Sequence, residues 1–414
     1  MTVRPNDKVL YVGMNKYAAH EGASLQKVAK ADVTVVKDSF GDDKVKVKVG
    51  RQLKTFDLTK DADVAGFVKT LGLPQATADK IAEVIKKAGP DAKDELAAIA
   101  QVWAKGELGG EVPNRLVLAG HNVGNGIYGN EDKGKWTNGT LTKELVTELA
   151  QAMPNAAAQV EDLAISACFC GGESSVNSWK AGFPNVKTAL VYEGLSPGSY
   201  NGATRHQAVW EKQTRGHNVD ITPENFKGKP GAAGADKDAN VAIWNSRDGY
   251  LSSTPWEPTA DVRARRTGFA ADLAKYKSGE TPTPTNTNSS PLRSHYRDLH
   301  QLLNRSEVTG AERQAITDEK DLTIRLIKYP KLAEKFESVH RAAIKAGYES
   351  LGLTVPKPGF EKMTRKEAVD AIAGFETALA AANPKPAAAK ELSTLLTEGL
   401  RDLKRDRIPD GWIG

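Results

Sequence analysis

Cysteine is almost absent: 414 residues hold two, Cys168 and Cys170. One residue apart, they would close a tight, strained ring, which argues against a structural disulfide between them. A structural zinc site takes about four ligands, and no His or Cys cluster stands nearby in the chain to complete one, so no metal site is expected. What remains is one reactive thiol, or two buried and inert ones. Long apolar runs are lacking as well. No stretch approaches the roughly 18 apolar residues that span a bilayer. The opening MTVRPNDKVLYVG lacks the apolar core of a secretory signal. The expectation is a cytoplasmic chain, or one exported without a cleaved signal, with no membrane span. Charge of one sign is also scarce. The 57 basic and 52 acidic residues leave a formal +5, which gives no argument for a nucleic-acid partner or an acidic membrane surface.

What is present is an ordinary globular composition, 40% hydrophobic and 26% charged, on a chain longer than one core usually serves. KVLYVGMN from Lys8 and DVTVVK from Asp32 read as strands, with a loop of polar and small residues between them. KVKVKVG and RQLKTFDL read as a hairpin turning at Gly50-Arg51. Three segments with helical apolar spacing follow, each ending in Gly, before a short apolar run at Arg115 to Ala119. A helix at TKELVTELAQAMP stops at Pro154, and a second apolar run covers Leu163 to Ala167. A helix from about Glu173, a buried strand within 185–194, a helix at RHQAVWEKQ and a strand with a turn at 240–250 complete the alternation. Strands alternating with helices predict an α/β fold, a mainly parallel sheet sandwiched by helices. A helix at TADVRARRTGFAADLAKYKSG, from Thr259, is expected to close this first domain, residues 1–278. Residues 279–293, GETPTPTNTNSSPLR, read as a linker that cannot bury a core. Residues 294–414 carry only helical patterns and are expected to form a separate all-α domain.

Two segments carry the chemistry. RLVLAGHNVGNGIYG places His121 just after one apolar run, and DLAISACFCGGE places Cys168 just after another, 47 positions on. Ligands of open α/β sheets bind at the carboxyl ends of the strands. If the two strands are neighbours, an imidazole and a thiol share one cleft, the minimum for a cysteine nucleophile with a histidine base. Gly171, Gly172 and Glu173 predict a tight turn into a helix, whose free N–H groups favour a thiolate. Cys170 is expected to be a packed small residue. The remaining histidines, among them His20, His206, His295, His300 and His340, show no ligand spacing and are expected on the surface or at caps; His20 lies in the loop bordering the cleft.

The paired blocks GHNVGNGIYG and ISACFCGGE resemble the caspase-like cysteine peptidases, the group of caspases, metacaspases, legumain, separase, clostripain-type enzymes and bacterial CHAT-domain peptidases. The His block is similar to the caspase His loop, and the Cys block to the CHAT and legumain form. The opening KVLYVGMNKY is similar to the group's first strand, and the resemblance spans about Lys8 to Lys277. It implies a caspase-like domain over 1–278. It implies a cysteine endopeptidase with Cys168 as nucleophile and His121 as general base and acid, acting on protein substrates and open to self-processing. It implies an oxyanion held by the backbone N–H groups of Cys168 and Asn122; the family usually has Gly where this chain has Asn122. The specificity pocket would draw on Ser166, Glu193, Trp244, Arg247 and Asp248. Arg247 would favour an acidic residue before the cut, whereas Asp248 and Glu193 would favour a basic one. The chemistry needs no cofactor. The helical domain would bind a regulator or a delivery partner. Two other readings fit the same residues: a Cys–His deamidase or acyl-transfer toxin, and a caspase-like scaffold without activity.

Overall fold

The computed structural model of the chain describes residues 8–14, 17–37, 43–89, 92–122, 126–129, 139–198, 202–216, 218–253, 257–279, 291–303, 305, 307–357 and 359–399. The linker read at 279–293 falls largely outside them. By its contacts the chain divides into two compact units, the first covering the described residues to 253 and the second those from 257.

The first unit runs β1 (Lys8–Gly13), α1 (Ala18–Ala29), β2 (Asp32–Lys37), β3 (Lys44–Val49), β4 (Gln52–Asp57), α2 (Asp61–Lys69), α3 (Gln75–Lys87), α4 (Lys93–Glu107) and β5 (Arg115–Ala119). It continues through β6 (His121–Asn122), β7 (Gly126–Tyr128), β8 (Thr140–Thr142), α5 (Lys143–Ala152), α6 (Pro154–Ala157), β9 (Asp162–Ser166), α7 (Glu173–Lys180), β10 (Thr188–Tyr192), α8 (Ala203–Thr214), β11 (Val241–Asn245) and β12 (Gly249–Ser252). Seven strands form the main sheet in the order β12-β11-β10-β9-β5-β1-β2. Only β11 runs against the others, pairing antiparallel with both β10 and β12. The central strands are short apolar runs buried along their whole length, as a parallel sheet covered on both faces requires. α1 packs on α8, while α3 to α7 pack on one another; right-handed crossovers put these two groups on opposite faces. This is the α/β class that the alternation predicts.

Two local expectations are corrected. The segment after β1, read as a loop, is α1. Its polar composition hides a helix whose buried face, among the described residues, is Glu21, Gly22 and Leu25, and Gly22 lets it lie close on β2, where an added Cβ would sit 2.5 Å from Val35 Cγ2. The His segment is not a simple loop either: β6, β7 and β8 form a small antiparallel sheet of their own.

The second unit holds α9 (Thr259–Ser278), α10 (Pro291–Leu303), α11 (Gly310–Ser350), α12 (Arg365–Ala381) and α13 (Ala387–Gly399). α9, expected to close the first domain, packs instead on α10 and α11. Val262 joins Leu299, Leu302, Val308 and Ile316 in one apolar cluster. Arg263 pairs with Glu312 at 2.8 Å, Arg265 with Asp298 at 2.7 Å and Arg266 with Glu319 at 2.7 Å. Pro330 falls inside α11. The backbone stays helical through that position and breaks from helical geometry at His340 instead. Among the described residues no helix is long and apolar enough to cross a membrane.

Candidate active site

β5 and β9 are adjacent and parallel, and their register runs from Arg115 beside Asp162 to Ala119 beside Ser166. Gly120 continues the ladder, its N–H donating to the Ser166 carbonyl at 3.2 Å, and the Met14 N–H reaches the Ala119 carbonyl at 2.9 Å. His121 and Cys168 each stand two residues beyond the last paired position, at the same edge of the sheet. Neighbouring strands lie about 4.8 Å apart, so the two residues follow strand ends that are one inter-strand step apart.

The turn after β9 is built to present one thiol and hide the other. Cys168 is half-exposed. Phe169 then adopts φ +53°, a left-handed turn that costs a non-glycine residue about 1 kcal/mol. The Phe169 N–H donates to the Gly194 carbonyl at 2.7 Å, which holds the turn against the end of β10. Among the described residues no backbone carbonyl accepts from the Cys168 N–H. Cys170 is the opposite case. It is buried, its thiol lies 3.0 Å from the Ala167 carbonyl, and it accepts from the Tyr192 N–H at 3.3 Å. Burial pushes this thiol up to about 12, beyond what those N–H and carbonyl contacts offset. Gly171 has no room for a side chain: an added Cβ would meet Glu193 Cγ at 2.9 Å.

On the other strand, His121 pairs with Tyr128 in the β6–β7 hairpin, ring centroids 5.2 Å apart. Gly120 makes the hairpin possible, because a Cβ there would sit 2.6 Å from the Tyr128 carbonyl oxygen. Asn122 is paired with Ile127 in the same hairpin.

No protein-family model and no curated protein matches the chain. It is similar to a solved structure of a secreted C11 cysteine protease from Bacteroides thetaiotaomicron, bound to an irreversible peptide inhibitor. The identity is 12% and the TM-score 0.32, over 69% of this chain and 73% of that one. The site is therefore read from its own geometry.

The five residues expected in a specificity pocket are not brought together. Glu193 ends β10 at the same edge as the thiol. Its carboxylate accepts from Tyr250 Oη at 2.8 Å and from the Ser252 hydroxyl. Ser166 is buried, and its hydroxyl accepts from Gln207 Nε2 at 3.1 Å. Gln207 also donates to Tyr11 Oη at 3.1 Å, and Tyr11 donates to Glu21, so Ser166 belongs to a buried polar chain running toward α1. Arg247 and Asp248 lie at the opposite edge. β11 runs antiparallel, so its carboxyl end, Asn245, sits beside Thr188 at the start of β10. The turn that follows carries Arg247, which pairs with Asp248 at 2.7 Å and with Asp220. Trp244 is next to that edge, beneath the Lys180 ammonium at 2.9 Å from its ring centroid. These three residues leave the pocket reading.

Sequence reasoning missed several groups around the thiol. Ser196 Oγ is 3.5 Å from Cys168 Sγ. Tyr250 Oη accepts from the Gly172 N–H at 2.6 Å, tying the turn to β12. Burial, with the adjacent Glu193 carboxylate, holds the Tyr250 hydroxyl well above an ordinary tyrosine. Lys143 Nζ donates to Ser175 Oγ at 3.0 Å, and Ser175 donates to the Cys170 carbonyl at 2.8 Å. Burial pulls the Lys143 ammonium down to about 8. His206, His295 and His300, expected on the surface or at caps, are buried. His206 Nδ1 lies 3.0 Å from Tyr192 Oη, and its Nε2 lies 2.8 Å from Asp238. Burial and the neighbouring Arg205 charge pull His206 down to about 4. With both nitrogens engaged and the ring enclosed, it is no base for Cys168. His20 lies exposed on α1. Among the described residues no group of three or more His, Cys, Asp or Glu side chains is arranged to hold a metal ion.

Proposed function

We propose that the first unit is a cysteine peptidase acting through Cys168 and His121. One observation carries this reading: in-register parallel strands end together, one leading into the half-exposed thiol and the other into the imidazole. His121 takes the Cys168 proton as the sulfur attacks a peptide carbonyl, and the charge that develops on the carbonyl oxygen is held by the Cys168 N–H. The C–N bond then breaks, with His121 returning the proton to the leaving amine. Water attacks the thioester, His121 takes its proton, and the carboxylic acid leaves as the thiol reforms. Asn122 is the second oxyanion donor in this proposal. Glu193 is the one charged pocket candidate at the right edge, which favours a basic residue before the cut. The helical unit serves as a site for a regulator or delivery partner.

The test uses the full chain and a peptide library derived from a cell lysate, read by mass spectrometry. Cys168→Ala and His121→Ala are each expected to lower cleavage by about a thousandfold or more, with unchanged circular dichroism. A peptidyl electrophile is expected to label Cys168. Full activity in either variant would sink the reading, as would a wild-type chain that neither cleaves nor labels. Labelling only by glutamine-directed electrophiles would move the chain to the deamidase class.

A further inference from the structure

The residues that follow β10 are fixed against the nucleophile turn from two sides. The Glu193 N–H donates to the Asn240 carbonyl at 2.8 Å, and Asn240 Nδ2 donates to the Leu195 carbonyl at 3.1 Å. Gly194 accepts from the Phe169 N–H at 2.7 Å and is so close to the Asn240 amide that no side chain would fit. Ser196 comes next, and Pro197 after it holds the Ser196 backbone extended. The serine is half-buried, and its hydroxyl ends 3.5 Å from Cys168 Sγ. A thiol and a hydroxyl can each donate to the other. A thiolate can only accept.

We infer that Ser196 donates a hydrogen bond to the Cys168 thiolate and thereby raises the fraction of the reactive form. This rests on the Cys168 assignment above and deepens it: the thiolate is stabilised by a neutral donor from the neighbouring strand end as well as by the imidazole. A hydrogen bond to an ionised acceptor is about twice as strong as a neutral one. Because the hydroxyl is a neutral donor, its help does not depend on the protonation of His121. A purely structural serine, filling space between the two turns, would contribute equally whether the sulfur were charged or not.

That difference gives the test. The full chain and its variants are treated with iodoacetamide, and carbamidomethylation at Cys168 is followed by mass spectrometry at pH 6.5 and pH 10. In Ser196→Ala the rate is expected to fall about three- to tenfold at the lower pH and to match wild type at the higher pH. Ser196→Thr keeps the donor and is expected to stay within about twofold throughout. Ser196→Val has the shape of threonine without the hydroxyl, so the Thr and Val variants compare the donor alone if the alanine variant does not fold. Equal rates for Thr and Val at the lower pH would overturn the inference. So would an equal loss at both values, which marks displaced geometry rather than ionisation. Iodoacetamide needs no peptide recognition, so the outcome stands apart from the peptidase assay: a chain that cleaves nothing still reports on Ser196, and a chain that cleaves with no Ser196 effect keeps its function and loses this donor.

Discussion

Asp162 opens β9 in the interior of the sheet, and its carboxyl is buried. The Thr188 hydroxyl donates to it at 2.6 Å. Arg115 is its register neighbour on β5, but that guanidinium is paired with the equally buried Glu211 at 2.7 Å. Burial therefore prevails and pushes the Asp162 carboxyl up to about 7, against the partial offset from Thr188 and Arg115. An unfolded aspartate titrates near 3.9, so over about pH 4 to 7 the folded chain keeps a proton that the unfolded chain has lost. The stabilising contribution of this group is complete below about pH 4 and disappears as pH rises through about 7. Three units at roughly 1.4 kcal/mol each give about 4 kcal/mol. Asp162→Asn keeps an acceptor for Thr188 and removes the titration. The stability of the variant relative to wild type is expected to climb by up to about 4 kcal/mol between about pH 4 and 8. Urea unfolding followed by tryptophan fluorescence measures this in the right unit. Residues 257–399 contain no tryptophan, whereas Trp103, Trp179 and Trp210 are buried in the first unit. A difference that stays flat across that range, or falls, would refute the reasoning.

Other outcomes follow from the same geometry. Iodoacetamide acting on the folded chain should modify Cys168 and spare Cys170. With its thiol near 12, Cys170 has a thiolate fraction at neutral pH more than a thousandfold below that of an ordinary cysteine; after allowing for the greater nucleophilicity of a basic thiolate, about a hundredfold slowing remains. Peptide mapping that finds both sites modified at similar rates would contradict the buried placement. Gly120→Ala should cost about 1–3 kcal/mol, since the new methyl must displace the Tyr128 carbonyl, and should lower peptide cleavage further by moving His121. A urea midpoint and a cleavage rate equal to wild type would show that the hairpin yields freely. Proteolysis within 280–290 should leave two fragments that co-elute from a sizing column and part only in denaturant, because α9 and α10 belong to one packed unit. Separation of the fragments in native buffer would show that the α9 ion pairs and apolar contacts do not suffice.

Much of this was legible in the sequence. The fully apolar runs around Leu116 and Leu163 announce covered strands, and the His and Cys at their ends stand out for that reason. Other features were illegible for identifiable causes. Strand direction leaves no trace in an apolar pattern, so the segment from Ile243 to Tyr250 looked like a pocket wall; once β11 is known to run antiparallel, Arg247 and Asp248 fall at the far edge. α1 was hidden because it buries little apolar surface of its own. The allegiance of α9 depends on ion pairs with Asp298, Glu312 and Glu319, long-range partners that no local spacing reveals. Ser196 is an unremarkable serine in the sequence, and only the hydrogen bonds of Asn240 and Phe169 bring it to the sulfur.

The β5–β9 ladder has a consequence for how this protein can change. The ends of β5 and β9 are held one inter-strand step apart by their pairing, not by the chain that joins them. Residues between Tyr128 and Asp162 can therefore lengthen, shorten or exchange as a cassette, provided both strands keep their pairing. β8 and α5 within that stretch are held by their own packing, through Leu141, Leu145 and Leu149, and the freedom lies in the segments that flank them. A single-residue shift in the register of β9 would do the reverse, turning its side chains to the other face of the sheet and separating the pair with every loop intact.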